Sequence, residues 1–397
     1  MNAEIIAIGS ELLLGETIDT NSAYLAQQLT TNGINLFRKS VVGDNEERIA
    51  AAIAEALDRA DLVICTGGLG PTVDDVTREA VARAFGRPLE FHQYLLDQIE
   101  ARFRAFGRTM SDTNRRQAYA PQGARIVENP KGTAPSFIVE DERGTVVVLP
   151  GVPREMRYLW EHAIAPYLRD ERGETSVILV RTLHAAGRGE SVIGEIIADL
   201  MAQTNPTVGI SAKQARYELR IGAKATSREA AEAMIDQVEA TVRERLGDSL
   251  VGEEQINQAV LHMLQKRHLT LALQEGSNRA PVYHTLSKAS DTMPLHGVEM
   301  HIPITSLDDD TVQEAARTSA TDVRDRYNVD IGLGVEIATS TGADGFTMVA
   351  VAIAHDDNVR VWKQRFDLSL AEGWEFIGTL ALDGLRKYIL EINPEAH

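Results

Sequence analysis

The sequence contains a single cysteine, Cys65, so no disulfide bond can form within the chain. Cys65 ends the apolar run 61–65 and has no histidine near it in sequence, so we interpret it as a core residue rather than a nucleophile. Long hydrophobic runs are also absent, because none approaches the roughly 18 residues that a transmembrane helix requires. No basic segment followed by an apolar one opens the sequence. We therefore expect a cytoplasmic protein with no membrane partner.

Basic residues are few compared with acidic ones. The chain has 40 Lys and Arg against 58 Asp and Glu, a formal net charge of −18 and a pI near 5.0. Nonspecific binding to nucleic acids or acidic membranes needs basic patches, so this balance argues against both, although local donors could still hold a small anionic substrate. The 44% hydrophobic and 25% charged residues are ordinary for a globular protein, and 397 residues predict two or three domains.

The segment 66–77, with the sequence TGGLGPTVDDVT, is the most informative one in the chain. Its flanks predict a buried strand at 61–65 and a helix at 75–85. Glycines let the backbone approach a ligand closely, and a helix N-terminus favours an anion, so the segment predicts a phosphate site. The adjacent carboxylates of Asp74 and Asp75 favour a divalent cation beside it. The alternative is a tight turn with a helix cap, because the spacing matches neither Walker A nor GxGxxG.

Strand and helix patterns alternate through residues 1–167, which predicts a parallel sheet with right-handed crossovers. Ligands of such sheets bind at the carboxyl ends of the strands. The residues that follow the first strand (9–11) and the third strand (67–75) should therefore lie on the same edge of the sheet.

Two further residues of this region have open interpretations. Lys131 lies in a loop rich in Gly, Pro and Thr, where it is either a phosphate contact or a solvated lysine. Glu155 is either a metal or ribose contact, or an acid that complements the dipole of a helix in its first turn.

The rest of the chain divides into two further regions that differ in composition. Residues 170–252 predict a small α+β unit without a catalytic cluster. From residue 253 the pattern predicts a strand at 269–273, a loop at 274–281 and adjacent strands at 330–338 and 347–354. His284, His296 and His301 have no metal-binding spacing, so we interpret them as ordinary surface or loop histidines. The fold class is α/β.

Four motifs in order resemble those of the CinA family, the competence/damage-inducible proteins. They are GSELLLG at 9–15, DTN at 19–21, TGGLGPTVDDVT at 66–77 and PGVPREM at 150–156. The resemblance covers the whole chain and implies three domains. Residues 1–168 resemble the parallel-sheet, molybdopterin-binding fold of the MoaB and MogA proteins. Residues 169–252 resemble a KH-like α+β domain, and residues 253–397 a nicotinamide-mononucleotide deamidase domain.

The resemblance implies two activities in pyridine-nucleotide recycling, and a homodimer. One is metal-dependent hydrolysis of ADP-ribose to AMP and ribose 5-phosphate, and the other is deamidation of nicotinamide mononucleotide. The catalytic candidates are Asp74, Asp75, Glu11 and Glu155, with Asp74 and Asp75 as ligands of a divalent cation. The candidate substrate-binding residues are Gly9, Ser10, Asp19, Asn21, Thr66, Gly67, Gly68, Gly70, Thr72, Lys131, Gly132, Thr133, Pro150 and Gly151. Asp19 and Asn21 would either meet a ribose or support the loop.

The last domain departs from the family pattern at two places. Deamidase members carry Ala-Glu-Ser-Cys-Thr-Gly-Gly after the strand equivalent to 269–273, with the serine as the presumed nucleophile, whereas residues 274–280 read QEGSNRA. Ser277 would align one position off, and no neighbouring residue clearly supplies a base. The family's Gly-Ile-Ala-Gly-Pro segment is replaced by EIATSTG at 336–342. We expect a domain that keeps its fold, has lost the deamidase activity and serves assembly or ligand sensing.

Other functions stay open at this point. The deamidase could be active after all, or the first domain could bind a pterin or nucleotide without hydrolysing it. The family name also suggests a scaffold in competence, although the acidic composition argues against direct DNA binding.

Overall fold

The computed structural model describes residues 1–105, 107–173, 176–213, 216–289, 292–303, 309–342 and 344–392. The chain divides into two compact units, of which the first comprises residues 1–179 with 223–233 and the second residues 180–222 with 234–397. Among the described helices, none combines the length and apolar composition needed to cross a lipid bilayer. The three-domain division of the sequence stays a prediction.

Before residue 171, the part of the chain that the structure describes forms eight strands and seven α-helices. The strands are β1 (Asn2–Ile8), β2 (Asn35–Val42), β3 (Leu62–Thr66), β4 (Leu89–Phe91), β5 (Tyr119–Pro121), β6 (Arg125–Val127), β7 (Ser136–Asp141) and β8 (Gly144–Leu149). The helices are α1 (Ser10–Leu13), α2 (Thr20–Thr31), α3 (Glu46–Leu57), α4 (Thr77–Ala84), α5 (Gln93–Ala105), α6 (Pro153–Leu159) and α7 (Ala165–Asp170). A 3₁₀ helix (Asp112–Ala118) and a π-helical turn (Trp160–Ile164) complete this part.

The main sheet of the first unit has the strand order β2-β1-β3-β8-β7-β6. The neighbours β2, β1, β3 and β8 are parallel, as predicted, whereas β7 and β6 continue the sheet antiparallel. A tight turn between Asp141 and Gly144 joins β7 to β8, and so short a connection permits only antiparallel pairing. The predicted α/β class is confirmed, with an antiparallel edge added.

Helices cover both faces of this sheet. Successive residues of a strand point to opposite faces, so each strand contributes to two cores. Along β3, Leu62 and Ile64 pack in a core formed with α2 and α6, while Val63 and Cys65 pack in a core formed with α3 and α4. Every residue of β3 is buried. This explains why the strand has a continuous apolar run rather than an alternating pattern.

Two helix predictions need correction. The helix after the glycine segment begins at Thr77 rather than near Asp75, because the Asp75 carboxylate accepts hydrogen bonds from the preceding turn at Thr72. The sequence pattern also predicts helical structure over residues 89–119, but these residues do not form one helix, since α5 ends at Ala105, before Gly107 with its φ of 67°. A short strand precedes α5, and a 3₁₀ helix and a second strand follow it.

After residue 176, the described residues form nine strands and seven α-helices, with a 3₁₀ helix at Gly247–Ser249. The strands are β9 (Val177–Ala185), β10 (Thr207–Lys213), β11 (Arg216–Ala225), β12 (Leu250–Gly252), β13 (Leu271–Gly276), β14 (Leu295–Met300), β15 (Ile331–Thr341), β16 (Thr347–His355) and β17 (Asn358–Phe366). The helices are α8 (Glu190–Ile196), α9 (Ala198–Met201), α10 (Arg228–Leu246), α11 (Ile256–Lys266), α12 (Pro281–Leu286), α13 (Asp309–Tyr327) and α14 (Ala371–Ile392).

These strands form a four-stranded sheet, β10-β11-β9-β12, and a five-stranded sheet, β14-β13-β15-β16-β17. In the larger sheet β14, β13 and β15 are parallel, and β16 and β17 are antiparallel. The predicted pairing of the strands near 330–338 and 347–354 is confirmed, with Val335 opposite Val351. The segment 274–281 is only partly a loop, because β13 runs on to Gly276 and α12 begins at Pro281.

The second unit contains a buried ion pair. Asp383 and Arg386 lie on α14 with side chains only 3% and 4% exposed, and the guanidinium also donates to the Asp248 and Leu250 carbonyls. Truncating Asp383 to Ala would leave a buried cation without its carboxylate, so we expect a loss of about 3–5 kcal/mol in the free energy of unfolding.

Urea unfolding measures this loss, and Asp236→Ala is the matched control. Asp236 also pairs with an arginine, Arg181, but its side chain is 64% exposed, so the control should lose less than about 1 kcal/mol. Equal losses in the two variants would contradict the prediction.

Candidate functional site

The carboxyl ends of three neighbouring parallel strands meet at one edge of the first sheet. Ala7 of β1 pairs with Thr66 of β3, which pairs with Leu149 of β8. The segments that follow, from Gly9, Gly67 and Pro150, therefore leave the sheet at the same edge. This confirms the prediction that residues 9–11 and 67–75 share an edge.

The glycine loop, defined as residues 67–76, needs glycine at its first two positions. Gly67 and Gly68 have φ values of 112° and 65°, which L-residues with a side chain rarely adopt. A Cβ on Gly67 would lie 2.1 Å from the Ile8 carbonyl oxygen, and one on Gly68 would lie 2.1 Å from Thr77 Oγ1. The Thr77 hydroxyl donates to the Gly67 carbonyl at 2.9 Å, so the loop closes tightly over the strand ends.

Arg78 holds the carbonyl side of the glycine loop. Its guanidinium donates to the carbonyls of Leu69 and Gly70, and the residue is only 1% exposed. Gln117 donates to the same Leu69 carbonyl at 3.2 Å. Burial lowers the pKa of Arg78 to about 10, while the nearby carboxylates of Glu79 and Asp75 act to raise it.

A second arginine, Arg116, holds the following turn. It donates to the carbonyls of Thr72 and Asp75 and pairs with the Glu79 carboxylate at 2.9 Å. Sequence reasoning missed Arg78 and Arg116, because arginine is normally exposed. The only signal for Arg78 is its position directly after the glycine segment.

Arg78, Gln117 and Arg116 bind the carbonyl groups of the glycine loop, and its amide groups remain available to a ligand. Among the described residues, no acceptor bonds the N–H groups of Gly68, Leu69 or Gly70. Consecutive free amides in a glycine turn form a concave anion-binding surface, and two guanidinium groups behind it add positive potential. The geometry is suited to a phosphate group.

The two aspartates of the glycine loop both interact with Thr72. Asp75 Oδ2 accepts from the Thr72 amide at 2.9 Å and from the Thr72 hydroxyl at 2.5 Å. The Thr72 hydroxyl and the backbone amide of Asp74 lower the pKa of the Asp74 carboxyl, so this carboxylate stays ionised at neutral pH. Both groups are accessible enough to meet a cation.

A metal ion could not be held by side chains alone in this structure. Across the described ranges, no three His, Cys, Asp or Glu side chains are grouped closely enough to bind one. Two carboxylates combined with phosphate oxygens and water do, however, match the way in which proteins bind Mg²⁺ with nucleotides. Asp74 and Asp75 therefore fit a cation that arrives with a phosphorylated ligand.

A further carboxylate, that of Asp44, lies at this edge and was not predicted from the sequence. Asp44 follows β2, and its Oδ2 accepts from the Ser10 amide at 2.7 Å while the Ser10 hydroxyl accepts from the Asp44 amide. The neighbouring Glu11 folds back over Gly9, since a Cβ on that glycine would lie 2.5 Å from Glu11 Oε1. The Glu11 carboxylate is exposed and has no hydrogen-bond donor among the described residues.

Asp19 and Asn21 stabilise the segments that form this edge. Asp19 caps α2 by accepting a backbone N–H of the first turn at 2.9 Å. The amide of Asn21 donates to the Gly151 carbonyl at 2.7 Å, and the Thr66 hydroxyl donates to the Pro150 carbonyl at 3.2 Å. Of the two roles considered for Asp19 and Asn21, these contacts correspond to loop support.

The loop 128–135 lies at the same edge, because β6 and β7 are antiparallel and Val127 pairs with Ser136. Asn129 organises this loop, accepting the amides of Lys131 and Gly132 at 3.0 Å each. These two amides are therefore engaged within the loop rather than free for a phosphate.

Glu155 is also engaged in the structure of this loop. Its carboxylate accepts from the Asn129 amide at 2.7 Å and packs against Gly132, where a Cβ would lie 1.8 Å from Glu155 Oε2. The Lys131 ammonium lies 5.0 Å from the centroid of the Tyr158 ring, and Thr133 lines a cleft between this loop, α5 and α6. Lys131 thus interacts with an aromatic ring and is not merely solvated.

The residues considered for the deamidase are not arranged as a nucleophile and base. Ser277 is buried, and its hydroxyl accepts from the Arg279 amide at 3.1 Å. The carboxylate of Glu275 accepts from two backbone amides of α12, and burial raises the pKa of this carboxyl to about 7. No described imidazole or amine contacts Ser277.

His301 lies in a loop, as predicted, and in addition its imidazole contacts a buried carboxylate. His301 Nε2 lies 3.0 Å from the carboxylate of Glu336, which is fully buried and also accepts from the Ser319 hydroxyl at 2.5 Å. Desolvation raises the pKa of Glu336, while Ser319 and His301 act to lower it. Glu336 is the first residue of the segment 336–342 that the sequence analysis compared with a glycine-rich one.

Comparisons with known proteins agree with the predicted fold of the first two domains. The family model described as "Probable molybdopterin binding domain" matches residues 4–170, and the model described as "Damage-inducible protein CinA KH domain" matches residues 180–252. These matches bear out a MoaB/MogA-like α/β domain and a KH-like domain.

Two relatives found by sequence comparison are described as competence-damage inducible proteins. A "Putative competence-damage inducible protein" of Clostridium botulinum (strain 657 / Type Ba4) is 44% identical over 279 residues, covering 70% of this chain and 68% of the relative. One of Symbiobacterium thermophilum is 45% identical over 281 residues, covering 70% of this chain and 66% of the relative.

Solved structures cover less of the chain. The crystal structure of the protein CinA from Thermoplasma acidophilum has 38% identity and a TM-score of 0.38, covering 40% of this chain and 94% of that one. The molybdopterin biosynthesis enzyme MoaB of Thermus thermophilus has 19% identity and a TM-score of 0.30, covering 44% and 94%.

The tight closure of the glycine loop predicts that Gly68→Ala is strongly destabilising. The new methyl group would meet Thr77 Oγ1 at 2.1 Å in a backbone conformation that disfavours alanine. Gly86→Ala is the matched control, since Gly86 has a φ of 60° but no atom within 4 Å of a Cβ.

We expect the control to lose about 1–2 kcal/mol from the φ penalty alone. Gly68→Ala should lose a further 1–3 kcal/mol or so from the clash. Urea unfolding measures both losses, and indistinguishable values would show that the loop tolerates a side chain here.

The burial of Cys65 predicts an unreactive thiol. Burial raises the pKa of Cys65 to about 12, so the folded protein keeps the thiol protonated at about pH 8, whereas an unfolded thiol is partly ionised there. A disulfide reagent should label the denatured protein rapidly and the native protein negligibly. Rapid stoichiometric labelling of the native protein would contradict the burial.

Proposed function

The chain belongs to the CinA family of competence-damage inducible proteins, and we propose that its first unit is a metal-dependent hydrolase that cleaves ADP-ribose into AMP and ribose 5-phosphate. The observation that carries this proposal is the glycine loop, with its free amides, the guanidinium groups behind it and the carboxylates of Asp74 and Asp75 beside it. ADP-ribose as substrate comes from the family resemblance.

Hydrolysis of a pyrophosphate adds water across the P–O–P bridge. The water oxygen bonds to one phosphorus, the bond from that phosphorus to the bridging oxygen breaks, and the bridging oxygen leaves with the other phosphate. A divalent cation held by Asp74 and Asp75 would neutralise phosphate charge and make a water more acidic. The loop amides of Gly68, Leu69 and Gly70 would hold phosphate oxygens.

Among the predicted carboxylates, Glu11 is the better candidate for the base that takes the proton of the attacking water. Glu11 is exposed and has no hydrogen-bond donor in the described part of the chain, whereas the Glu155 carboxylate is occupied by Asn129 and Gly132. A base must reach the reacting water, so an unengaged carboxylate at the strand edge is the favoured one. Glu155 then acts by supporting the loop 128–135.

For the last part of the chain we propose that the deamidase activity has been lost. Ser277 is buried without a partner that could act as a base, and Glu336 with His301 takes the place of a glycine-rich segment. A homodimer, a cytoplasmic location and the absence of direct nucleic-acid binding stay predictions of the sequence.

Product analysis tests the proposal directly. The purified protein is incubated with ADP-ribose and, separately, with nicotinamide mononucleotide in a series of divalent metals. We expect AMP and ribose 5-phosphate from the first, their loss on chelation with recovery on metal addition, and no ammonia from the second. Ammonia release would mean an active deamidase, and no product from either would favour a non-catalytic pterin or nucleotide binder.

The variant Asp75→Asn separates the charge of Asp75 from its structural contact. Asparagine keeps an oxygen that can accept from Thr72 but removes the negative charge that a cation needs. We expect kcat to fall by about 100-fold or more with an unchanged unfolding midpoint. Asp58→Asn, at an exposed helix end, is the matched control, and full activity in Asp75→Asn would overturn the assigned role.

A further inference from the structure

We propose that Arg154 binds the pyrophosphate of the substrate, on the phosphate next to the one that the glycine loop holds, and that it makes the site prefer diphosphates to monophosphates. This inference rests on the proposed function, because it assigns a further binding residue to the same site. Arg154 lies in the motif at 150–156, in which the sequence analysis assigned roles only to Pro150, Gly151 and Glu155.

The turn that precedes Arg154 lies against the glycine loop. It leaves β8 at Leu149, whose carbonyl accepts from the Gly67 amide at 3.1 Å. A Cβ on Gly151 would lie 3.4 Å from the Gly67 Cα atom. The Asn21 side chain holds the turn by donating to the Gly151 carbonyl at 2.7 Å. A group carried by this turn, or by the first residues after it, is therefore adjacent to the glycine loop.

Helix geometry directs the Arg154 side chain back toward that turn. Arg154 is the second residue of α6, and the side chains of a helix lean toward its N-terminus and cover the turn that precedes them. The inner side of α6 is occupied by Met156 and Leu159, which are buried in the core, and Glu155 packs on Gly132. Arg154 is exposed, so its guanidinium lies on the solvent side of the helix beside the strand edge.

The donors of Arg154 are available to a ligand, whereas those of neighbouring arginines are engaged. The guanidinium groups of Arg78 and Arg116 donate to carbonyls of the glycine loop. The Arg157 guanidinium, one turn later on α6, lies 5.0 Å from the centroid of the Tyr24 ring. Within the described ranges, neither a hydrogen-bond acceptor nor a carboxylate partner contacts Arg154. Its charge is therefore uncompensated until an anion binds.

The charges at this edge explain why a pyrophosphate needs a further cation. The carboxylates there are those of Glu11, Asp44, Asp74 and Asp75. A divalent cation held by the aspartates of the glycine loop is largely balanced by them, while each phosphate of a pyrophosphate diester adds a negative charge of its own. A guanidinium can form two parallel hydrogen bonds with phosphate oxygens. The second phosphate of a diphosphate therefore gives Arg154 a partner that a monophosphate on the glycine loop lacks.

Calorimetric binding of AMP and of α,β-methylene-ADP to the purified protein with Mg²⁺ tests this assignment without catalysis. The two probes share the nucleoside, and the methylene bridge cannot be hydrolysed. We expect the wild-type protein to bind the diphosphate at least about tenfold more tightly than AMP, and Arg154→Gln to lose about tenfold of this preference. Equal affinities of the wild-type protein for the two probes, or an unchanged preference in Arg154→Gln, would overturn the assignment.

Arg157→Gln is the matched control. It removes the same charge from the same helix, but its guanidinium lies over Tyr24, so the preference for the diphosphate should keep its wild-type value. Arg154→Lys should retain part of the preference, because an ammonium group keeps the charge without the planar fork of the guanidinium. Equal losses in Arg154→Gln and Arg157→Gln would show a general effect of charge and contradict a direct contact.

Turnover separates this inference from the proposed hydrolase. In Arg154→Gln we expect the KM for ADP-ribose to rise about tenfold or more with little change in kcat, because the contact is made equally in the bound substrate and the transition state. A diphosphate preference that depends on Arg154, without turnover of ADP-ribose, would support the contact and contradict the hydrolase. Turnover with an unchanged KM in Arg154→Gln would support the hydrolase and contradict the contact.

Discussion

The pairing of the glycine-loop carbonyls with buried guanidinium donors is the interaction on which the first unit's site depends. A peptide turn that directs its N–H groups outward must direct carbonyls inward, where each needs a donor in a low-dielectric interior. Arg78 and Gln117 meet that need for Leu69, and Arg78 also for Gly70. No carboxylate hydrogen-bonds the Arg78 guanidinium among the described residues, and its charge is balanced only through space by the nearby Glu79 and Asp75 carboxylates.

The sheet arrangement gathers the other parts of the site around that loop. Parallel strands β1, β3 and β8 end at one edge, and the antiparallel hairpin of β7 and β8 returns the chain so that the loop 128–135 reaches the same edge. Had β7 and β6 been parallel, this loop and its Asn129 network would have lain at the opposite end. One tight turn after Asp141 therefore determines that the loop 128–135 and the glycine loop lie at the same edge of the sheet.

The five-stranded sheet brings a buried carboxylate and an imidazole together. The register of β13 with β14 and β15 places His301 beside Glu336 at the carboxyl ends of β13 and β14, where open sheets commonly bind ligands. The buried carboxylate is compensated by an imidazole and the Ser319 hydroxyl. The core side of the sheet is formed by apolar residues of β13, β15 and β16, so its packing does not depend on the Glu336 and His301 pair.

The sequence by itself determined the parallel core of the first sheet, the shared strand edge and the glycine loop with its two aspartates, because apolar periodicity and glycine spacing are local signals. Only the tertiary structure decided the antiparallel edge, the burial of Arg78, the engagement of Glu155 by Asn129 and the cleft beside Tyr158. These features depend on contacts between residues such as Asn129 and Glu155, 26 positions apart, or Arg116 and Thr72, 44 positions apart. A single sequence carries no direct record of such contacts, since a side chain's environment is set by whichever distant segment packs on it.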